Sequence, residues 1–212
     1  SILSEESKDN KDRLNNDYCW IIDPIDGTKD FVNKTDNFSI NLALAYKHEI
    51  VLGIISVPCR NLYYYAIKGQ GAYKIENNET IRINVSNRIN NLIMVTSKFF
   101  FKNNDDYEKH PYIEKILAIG SSYKAGLIAE GKADLCIKLE AVTKEWDTAP
   151  SDIIIKEAGG KICDIYGNKM KYNKEDVINQ NGFLITNSIQ TFEIFKKSNY
   201  RIKTKLIFKN HL

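Results

Sequence analysis

The order of apolar and polar positions divides the chain into two kinds of text. Tyr18-Cys19-Trp20-Ile21-Ile22 is short, aromatic and β-branched, as a buried strand requires, and it ends at Asp23-Pro24. Ahead of it, residues 1–6 begin apolar and turn acidic, and residues 7–17 are polar and read as a surface loop. The runs Phe38–Tyr46, Ile50–Val57, Leu62–Ile67 and Gly71–Ile75 then follow one another across short polar turns, which predicts an antiparallel meander. Thr80–Val85 offers one more short strand within the polar stretch 76–91. Beyond it the text alternates. Strands are predicted at Leu92–Thr96, Ile116–Ile119, Asp134–Leu139, Lys161–Asp164 and Gly182–Thr186. Helices are predicted at Ser121–Glu130, closed by Gly131, at Thr148–Ala158, closed by Gly159-Gly160, and at Ser188–Lys197, with a short one inside Lys98–Lys115. The class is α+β passing into α/β, in two lobes of about 1–91 and 92–197.

Composition changes this picture little. Of 212 residues, 43% are hydrophobic and 27% charged, as in an ordinary globular chain. The longest apolar runs, such as Ile50–Val57, fall far short of the ~20 residues that span a bilayer, so no transmembrane segment is expected. No stretch at the start joins basic residues, an apolar run and a cleavage site, and the first residue is Ser, which reads as processing or a fragment. The four cysteines Cys19, Cys59, Cys136 and Cys163 show no paired spacing and lie in apolar text, which suits a reducing, cytoplasmic setting.

Charge adds one correction. The formal net charge is +3, but residues 196–212 hold six basic residues and no acid; without them the remainder has 24 basic against 27 acidic residues. The basic character therefore belongs to a C-terminal tail, 198–212, read as a solvated end, and no nucleic-acid partner is expected.

The candidate chemistry lies in Asp23-Pro24-Ile25-Asp26-Gly27-Thr28, where a buried strand meets two carboxylates three residues apart. Pro24 bends the chain and Gly27 permits close backbone approach, so both carboxylates and the Ile25 carbonyl can face one point, as a hard divalent cation requires. Backbone N–H groups of Gly27 and Thr28 at a helix start would suit a phosphate. Asp-Pro and Asp-Gly are also ordinary turn dipeptides. Glu5-Glu6 and Trp146-Asp147-Thr148 are further acidic elements; alone, the first reads as an exposed turn and the second as a helix N-cap with Pro150 in the first turn.

Taken together, Trp20–Thr28 (WIIDPIDGT) and the later WDTAPSDIIIKEAGG resemble the inositol monophosphatase superfamily of Mg²⁺-dependent, lithium-sensitive phosphatases. The resemblance runs from Ser1 to about Asn187 and includes LSEES, NFSINLALAY, GIISVP, GQGAY, GSSYKAGLIAEGKADL and GFLITN. Within the superfamily, Leu3–Glu6, Gly27–Phe31 and Gly120–Lys124 are most similar to the 3′(2′),5′-bisphosphate nucleotidases of the CysQ type, which convert adenosine 3′,5′-bisphosphate to AMP and phosphate.

The resemblance implies a layered αβαβα sandwich and an enzyme that uses two or three Mg²⁺ ions and attack by a metal-activated water. It implies metal ligation by Glu5, Asp23, the Ile25 carbonyl, Asp26 and Asp147. Thr28, Glu5 and Asp26 would serve catalysis; Ile25, Asp26, Gly27, Thr28, Gly120, Ser121, Lys124 and Asp147 would contact substrate, with Lys124 toward a second phosphate. The expected partner is a small phosphate ester, a nucleotide bisphosphate first, with a homodimer left open. Inositol or sugar-phosphate monophosphatase activity, or a truncated, non-catalytic metal-binding relative, are the alternatives.

Two departures stand out. Family members carry an N-terminal segment of helices and a hairpin before the Ser-Glu-Glu element, including an Asp that pairs with the threonine matching Thr28; this sequence starts after it. At Val95–Phe100, bisphosphate nucleotidases usually read Ser-Arg-Ser-His, and Lys138 stands where an Arg often contacts the substrate.

Overall fold

The computed structural model describes residues 1–97 and 110–196. Two sheets organise them. The first has seven strands in sequence order: β1 (Ile2–Ser4), β2 (Tyr18–Asp26), β3 (Ser39–Tyr46), β4 (Glu49–Val57), β5 (Leu62–Ile67), β6 (Ala72–Glu76) and β7 (Glu79–Ile83). All its pairings are antiparallel except β1 on β2. The second runs β11-β12-β10-β8-β9, from β8 (Leu92–Thr96), β9 (Ile113–Ala118), β10 (Leu135–Lys138), β11 (Lys161–Cys163) and β12 (Phe183–Thr186). The helices are α1 (Thr28–Val32), α2 (Tyr123–Ala129), α3 (Glu145–Glu157) and α4 (189–196).

Helices α2 and α3 lie between the sheets. One hydrophobic core joins Ile21, Ala43 and Ile55 of the first sheet to Ile128, Ile153 and Ile154 of these helices and to Val95, Cys136 and Ile185 of the second sheet. Strand alternation explains the second core. Neighbours of those last residues, Met94, Ile137 and Leu184, point to the opposite side and meet Phe192 and Phe195 of α4. Strands β8, β10 and β12 are thus covered on both faces, which is why they read as unbroken apolar runs. Among the described residues the layers run sheet, helices, sheet, helix, in keeping with the expected α+β layered sandwich. On the outer face of the first sheet Ile2, Trp20, Ile40, Tyr63 and Ile67 are exposed.

Several sequence expectations need correction. Strand β2 does not stop at Asp23 but continues to Asp26, because its pairing with β3 resumes beyond Pro24. Residues 7–17 are not only a surface loop. They contain a 3-10 turn, Lys11–Asn15, and bury Arg13, whose guanidinium donates to both Asp9 carboxylate oxygens, to Asn173 Oδ1 and to the Lys174 carbonyl. Cys59 is exposed, whereas Cys19, Cys136 and Cys163 are buried, and all four are free. The short helix expected inside Lys98–Lys115 and the basic tail fall largely or wholly outside the described residues. No helix among the described residues is long and apolar enough to cross a membrane.

Helix α3 approaches β4 closely at Gly53. A Cβ there would lie 2.6 Å from Ile153 Cγ2 and 2.8 Å from the Pro150 carbonyl oxygen. Gly53→Ala must push α3 off the sheet, and we expect a loss of about 1–3 kcal/mol, or roughly 2–10 °C in melting temperature. An unchanged melting temperature would show that the helix is not seated this way.

Candidate metal centre

Three carboxylates converge where the first sheet, α2 and α3 meet. Asp23, Asp26 and Asp147 each offer an oxygen within 4.8 Å of the others. Asp23 and Asp26 differ by three in sequence, so strict alternation along β2 would put them on opposite faces. The ladder prevents this: Asp23 pairs with Asn41 and Asp26 with Ser39, leaving one extra residue on β2. This bulge at Pro24-Ile25, where proline cannot donate to the ladder, restores both carboxylates to the inner face.

Asp147 arrives from α3. The helix starts at Glu145, not at Thr148, so Asp147 is its third residue rather than its N-cap. Its carboxylate accepts the Lys144 N–H at 2.6 Å, closing the first turn from inside. Pro150 is the sixth helical residue, beyond the first turn. The carbonyl it leaves without a helical donor, that of Trp146, accepts from Asn41 Nδ2 at 3.2 Å.

Each carboxylate has a different local supply of donors. Asp26 Oδ2 accepts from the Ser122 N–H (2.6 Å), Ser122 Oγ (2.7 Å), Asn41 Nδ2 (3.1 Å) and Ser39 Oγ (3.3 Å). Asp23 Oδ1 accepts the Ile25 N–H at 3.0 Å, but Oδ2 is buried with no hydrogen-bond partner. Burial first, then the charges of Asp26, Glu5 and Asp147, pushes the Asp23 carboxyl up to about 8. Burial and the Asp26 charge raise Asp147 too, against the opposing Lys144 N–H. An orphaned carboxylate oxygen beside two further carboxylates is the donor set a hard divalent cation satisfies, so these residues fit Mg²⁺.

The remaining expected site residues lie around this centre. Glu5 follows β1 and stands outside the three-carboxylate cluster. Its N–H donates to the Ile22 carbonyl (3.2 Å), its carboxylate lies 4.0 Å from Lys144 Nζ, and its charge reaches Asp23 and Asp147. The Ile25 carbonyl accepts Thr28 Oγ1 at 3.4 Å. Gly27 is left-handed at φ 89°, and a Cβ there would sit 3.3 Å from Ser121 Cβ. Helix α1 after it has five residues, too few for the dipole argument for phosphate to weigh much. Gly120 is packed so tightly that a Cβ would overlap the Asp30 carboxylate. Ser121 and Lys124 line a cleft of about 450 Å³ together with Asp26, Gly27 and Asp147, with Lys29 and Lys138 also on its wall; Lys124 Nζ donates to the Ser121 carbonyl at 2.6 Å. Of the Val95–Phe100 departure, Thr96 and Ser97 line the cleft, and Lys98, Phe99 and Phe100 lie outside the described residues.

Sequence reasoning assigned no role to Ser39, Asn41 and Ser122, which surround Asp26. The signal for two of them is in the alternation of β3: Ser39 and Asn41 occupy inward positions next to apolar Ala43 and are fully buried. Polar residues so placed need a partner.

A layered α/β scaffold carrying a three-carboxylate cluster that could hold a cation, beside a lysine-lined cleft, is therefore the class of this protein. The chain belongs to the inositol monophosphatase family, whose profile matches residues 1–198. It is 34% identical over 173 residues to the 3′(2′),5′-bisphosphate nucleotidase CysQ of Aggregatibacter actinomycetemcomitans, covering 76% of this chain and 62% of that protein. It is 32% identical to CysQ of Haemophilus influenzae, covering 84% and 68%. Among solved structures it is similar to CysQ from Bacteroides thetaiotaomicron, with TM-score 0.75, 33% identity, and 87% and 76% of the two chains covered. A Thermotoga maritima IMPase matches with TM-score 0.80 and 31% identity over 96% and 75%.

A pH experiment tests the electrostatics of the centre. An unfolded Asp ionises near 3.8, whereas Asp23 in the fold holds its proton to about 8. Between those values the unfolded state alone releases the proton, so native stability falls as pH rises and levels off above about 8. In EDTA, Asp23→Asn should therefore melt above the parent protein by a margin that widens from pH 5 to pH 8, on the order of 2 kcal/mol or roughly 4–8 °C at the top. With Mg²⁺ the order should reverse. A margin independent of pH would mean that Asp23 is not a strained buried carboxyl.

Proposed function

We propose that this protein is a Mg²⁺-dependent phosphomonoesterase that hydrolyses adenosine 3′,5′-bisphosphate to AMP and phosphate. The observation carrying this reading is the juxtaposition of the Asp23, Asp26 and Asp147 cluster, with its unpartnered buried oxygen, and a cleft lined by three lysines. The 30–34% identity to proteins named as bisphosphate nucleotidases supports the choice of substrate.

The carboxylates would hold Mg²⁺ with Glu5 and the Ile25 carbonyl at the edge of the set. Bound there, the cation would supply Lewis acidity, offsetting phosphate charge and lowering the pKa of water. The chain's own groups do the rest. Gly27 in its left-handed conformation brings backbone to the cleft without a side chain in the way. The Thr28 hydroxyl, held toward the Ile25 carbonyl, orients the attacking water. Ammonium groups of Lys29, Lys124 and Lys138 supply positive charge along the cleft, where a second phosphate would sit. Among the described residues, no histidine or cysteine enters the carboxylate cluster.

A second reading, inositol-phosphate or sugar-phosphate hydrolysis, is favoured by the 33% identity to the fructose-1,6-bisphosphatase/inositol-1-monophosphatase of Thermotoga maritima. Phosphate release separates the two. Adenosine 3′,5′-bisphosphate should be cleaved at least roughly tenfold more efficiently than inositol 1-phosphate, with the reverse ranking overturning the first reading. Asp26→Asn should reduce turnover by more than about a hundredfold while keeping the fold, and full activity in that variant would sink the metal assignment. Lys124→Ala should raise KM for the bisphosphate several-fold but leave KM for a monophosphate ester nearly unchanged; equal effects on both would place Lys124 away from a second phosphate.

A further inference from the structure

Asn41 is fully buried at the junction of β3, α2 and α3. Its Nδ2 lies 3.1 Å from Asp26 Oδ2, 2.9 Å from Ser122 Oγ and 3.2 Å from the Trp146 carbonyl, while its Oδ1 accepts Ser39 Oγ at 3.2 Å. The amide orientation is fixed by chemistry. Turned over, its oxygen would face a carboxylate and a carbonyl, neither of which can donate. Ser122 Oγ, which Asn41 contacts, also lies 2.7 Å from Asp26 Oδ2 and 3.1 Å from the Asp147 carbonyl. One amide therefore ties a carboxylate of the first sheet to the turn of helix that carries the opposing carboxylate.

We infer that Asn41 is a positioning residue for the metal centre: its amide holds Asp26 and the first turn of α3, with Asp147, in one frame. The inference rests on the metal reading proposed above. Two observations carry it beyond ordinary satisfaction of buried polar groups. Four donors, one of them Asn41, gather on one oxygen of a carboxylate that itself belongs to the three-carboxylate cluster. The Trp146 carbonyl is available only because Pro150 has no N–H, so a break in the helix ladder has been joined to the metal ligand set rather than healed within α3. Neither β2 nor α3 fixes the Asp26 to Asp147 separation alone. Asn41 spans it.

The test separates positioning from mere support of the helix. Mg²⁺ affinity by calorimetry, melting temperature in EDTA, and kcat and KM at saturating Mg²⁺ would be measured for the parent protein, Asn41→Ala, Asn41→Ser and the double variant Asn41→Ala/Pro150→Ala. Asn41→Ala should weaken Mg²⁺ binding by roughly ten- to a hundredfold, with KM for the ester at saturating Mg²⁺ little changed. Asn41→Ser, which keeps one donor, should recover part of that affinity. In the double variant residue 150 regains an N–H for the Trp146 carbonyl, so the melting temperature should recover while Mg²⁺ affinity stays low. Mg²⁺ affinity within about twofold of the parent in every folded variant, or affinity that recovers in step with melting temperature in the double variant, overturns the inference. If Asn41→Ala does not fold, the serine and double variants carry the same comparison. A parent protein that binds no Mg²⁺ overturns the metal reading itself, an outcome distinct from equal binding by parent and variants.

Discussion

The β-bulge at Pro24-Ile25 is the constraint on which the site depends. A strand displays alternate residues to opposite faces, and Asp23 and Asp26 are an odd number apart. One extra residue against Asn41 and Ser39 changes the parity of everything beyond it. Both carboxylates then face the side on which α3 packs, and Asp147 can join them. The same shift places Ser39 and Asn41 directly across the ladder from the two aspartates, so two of the four donors on Asp26 come from the strand that defines the bulge, the other two being the N–H and hydroxyl of Ser122. Geometry of the ladder, second-strand polarity and the meeting of three carboxylates are one arrangement.

Much of the fold was legible because apolar runs obey simple periods. β5 and β8 occupy the stretches their β-branched and aromatic text marks, and β3 and β4 differ by a residue. The strands of the second sheet could be placed but not layered, since continuous apolar text says that both faces are buried without saying by what. The misreadings share a cause. Asp23-Pro24 looked like a strand end because proline breaks a ladder, but only for one residue when a bulge absorbs it. Asp147 looked like an N-cap because an acid before an apolar helix usually is one, whereas Lys144 fills that position and Asp147 accepts its N–H. Arg13 looked solvated because its neighbours are polar, and its burial depends on Asn173 and Lys174, which lie 160 and 161 residues away along the chain. Long-range partners of polar side chains have no periodic signature.

The site itself was legible as composition and not as connectivity. Asp23, Asp26 and Asp147 stand in two short, acid-bearing motifs, and a carboxylate next to a buried strand is conspicuous in any sequence. Nothing in the spacing says that they meet. Asn41 is the reverse case: its polar side chain on an inward position was visible in the alternation of β3, but its meaning came only from the carbonyl that Pro150 leaves free and the carboxylate beside it.

Departures from local rules collect around this cleft. Proline stands inside α3, Ser121 adopts a left-handed φ of 51°, Gly27 does so at 89°, and Asp23 Oδ2 is buried without a partner. Taken alone, the left-handed Ser121, the helical bond lost at Pro150 and the unpartnered Asp23 oxygen each oppose stability, while Gly27 is the residue type that takes its conformation without strain. Scattered over a molecule, they would be defects. Here Gly27 and Ser121 are in near contact where a Cβ would crowd, the Pro150 break is answered by Asn41, and the orphan oxygen of Asp23 faces two further carboxylates. The Pro150 break is met by a donor, whereas no hydrogen bond answers Asp23 Oδ2. Left open beside two further carboxylates, that oxygen is a position a cation could complete. Asp152 Oδ1 in α3 is likewise buried without a hydrogen-bond partner, so it is the gathering of Asp23 with two further carboxylates, and not an unpartnered oxygen alone, that singles out this position.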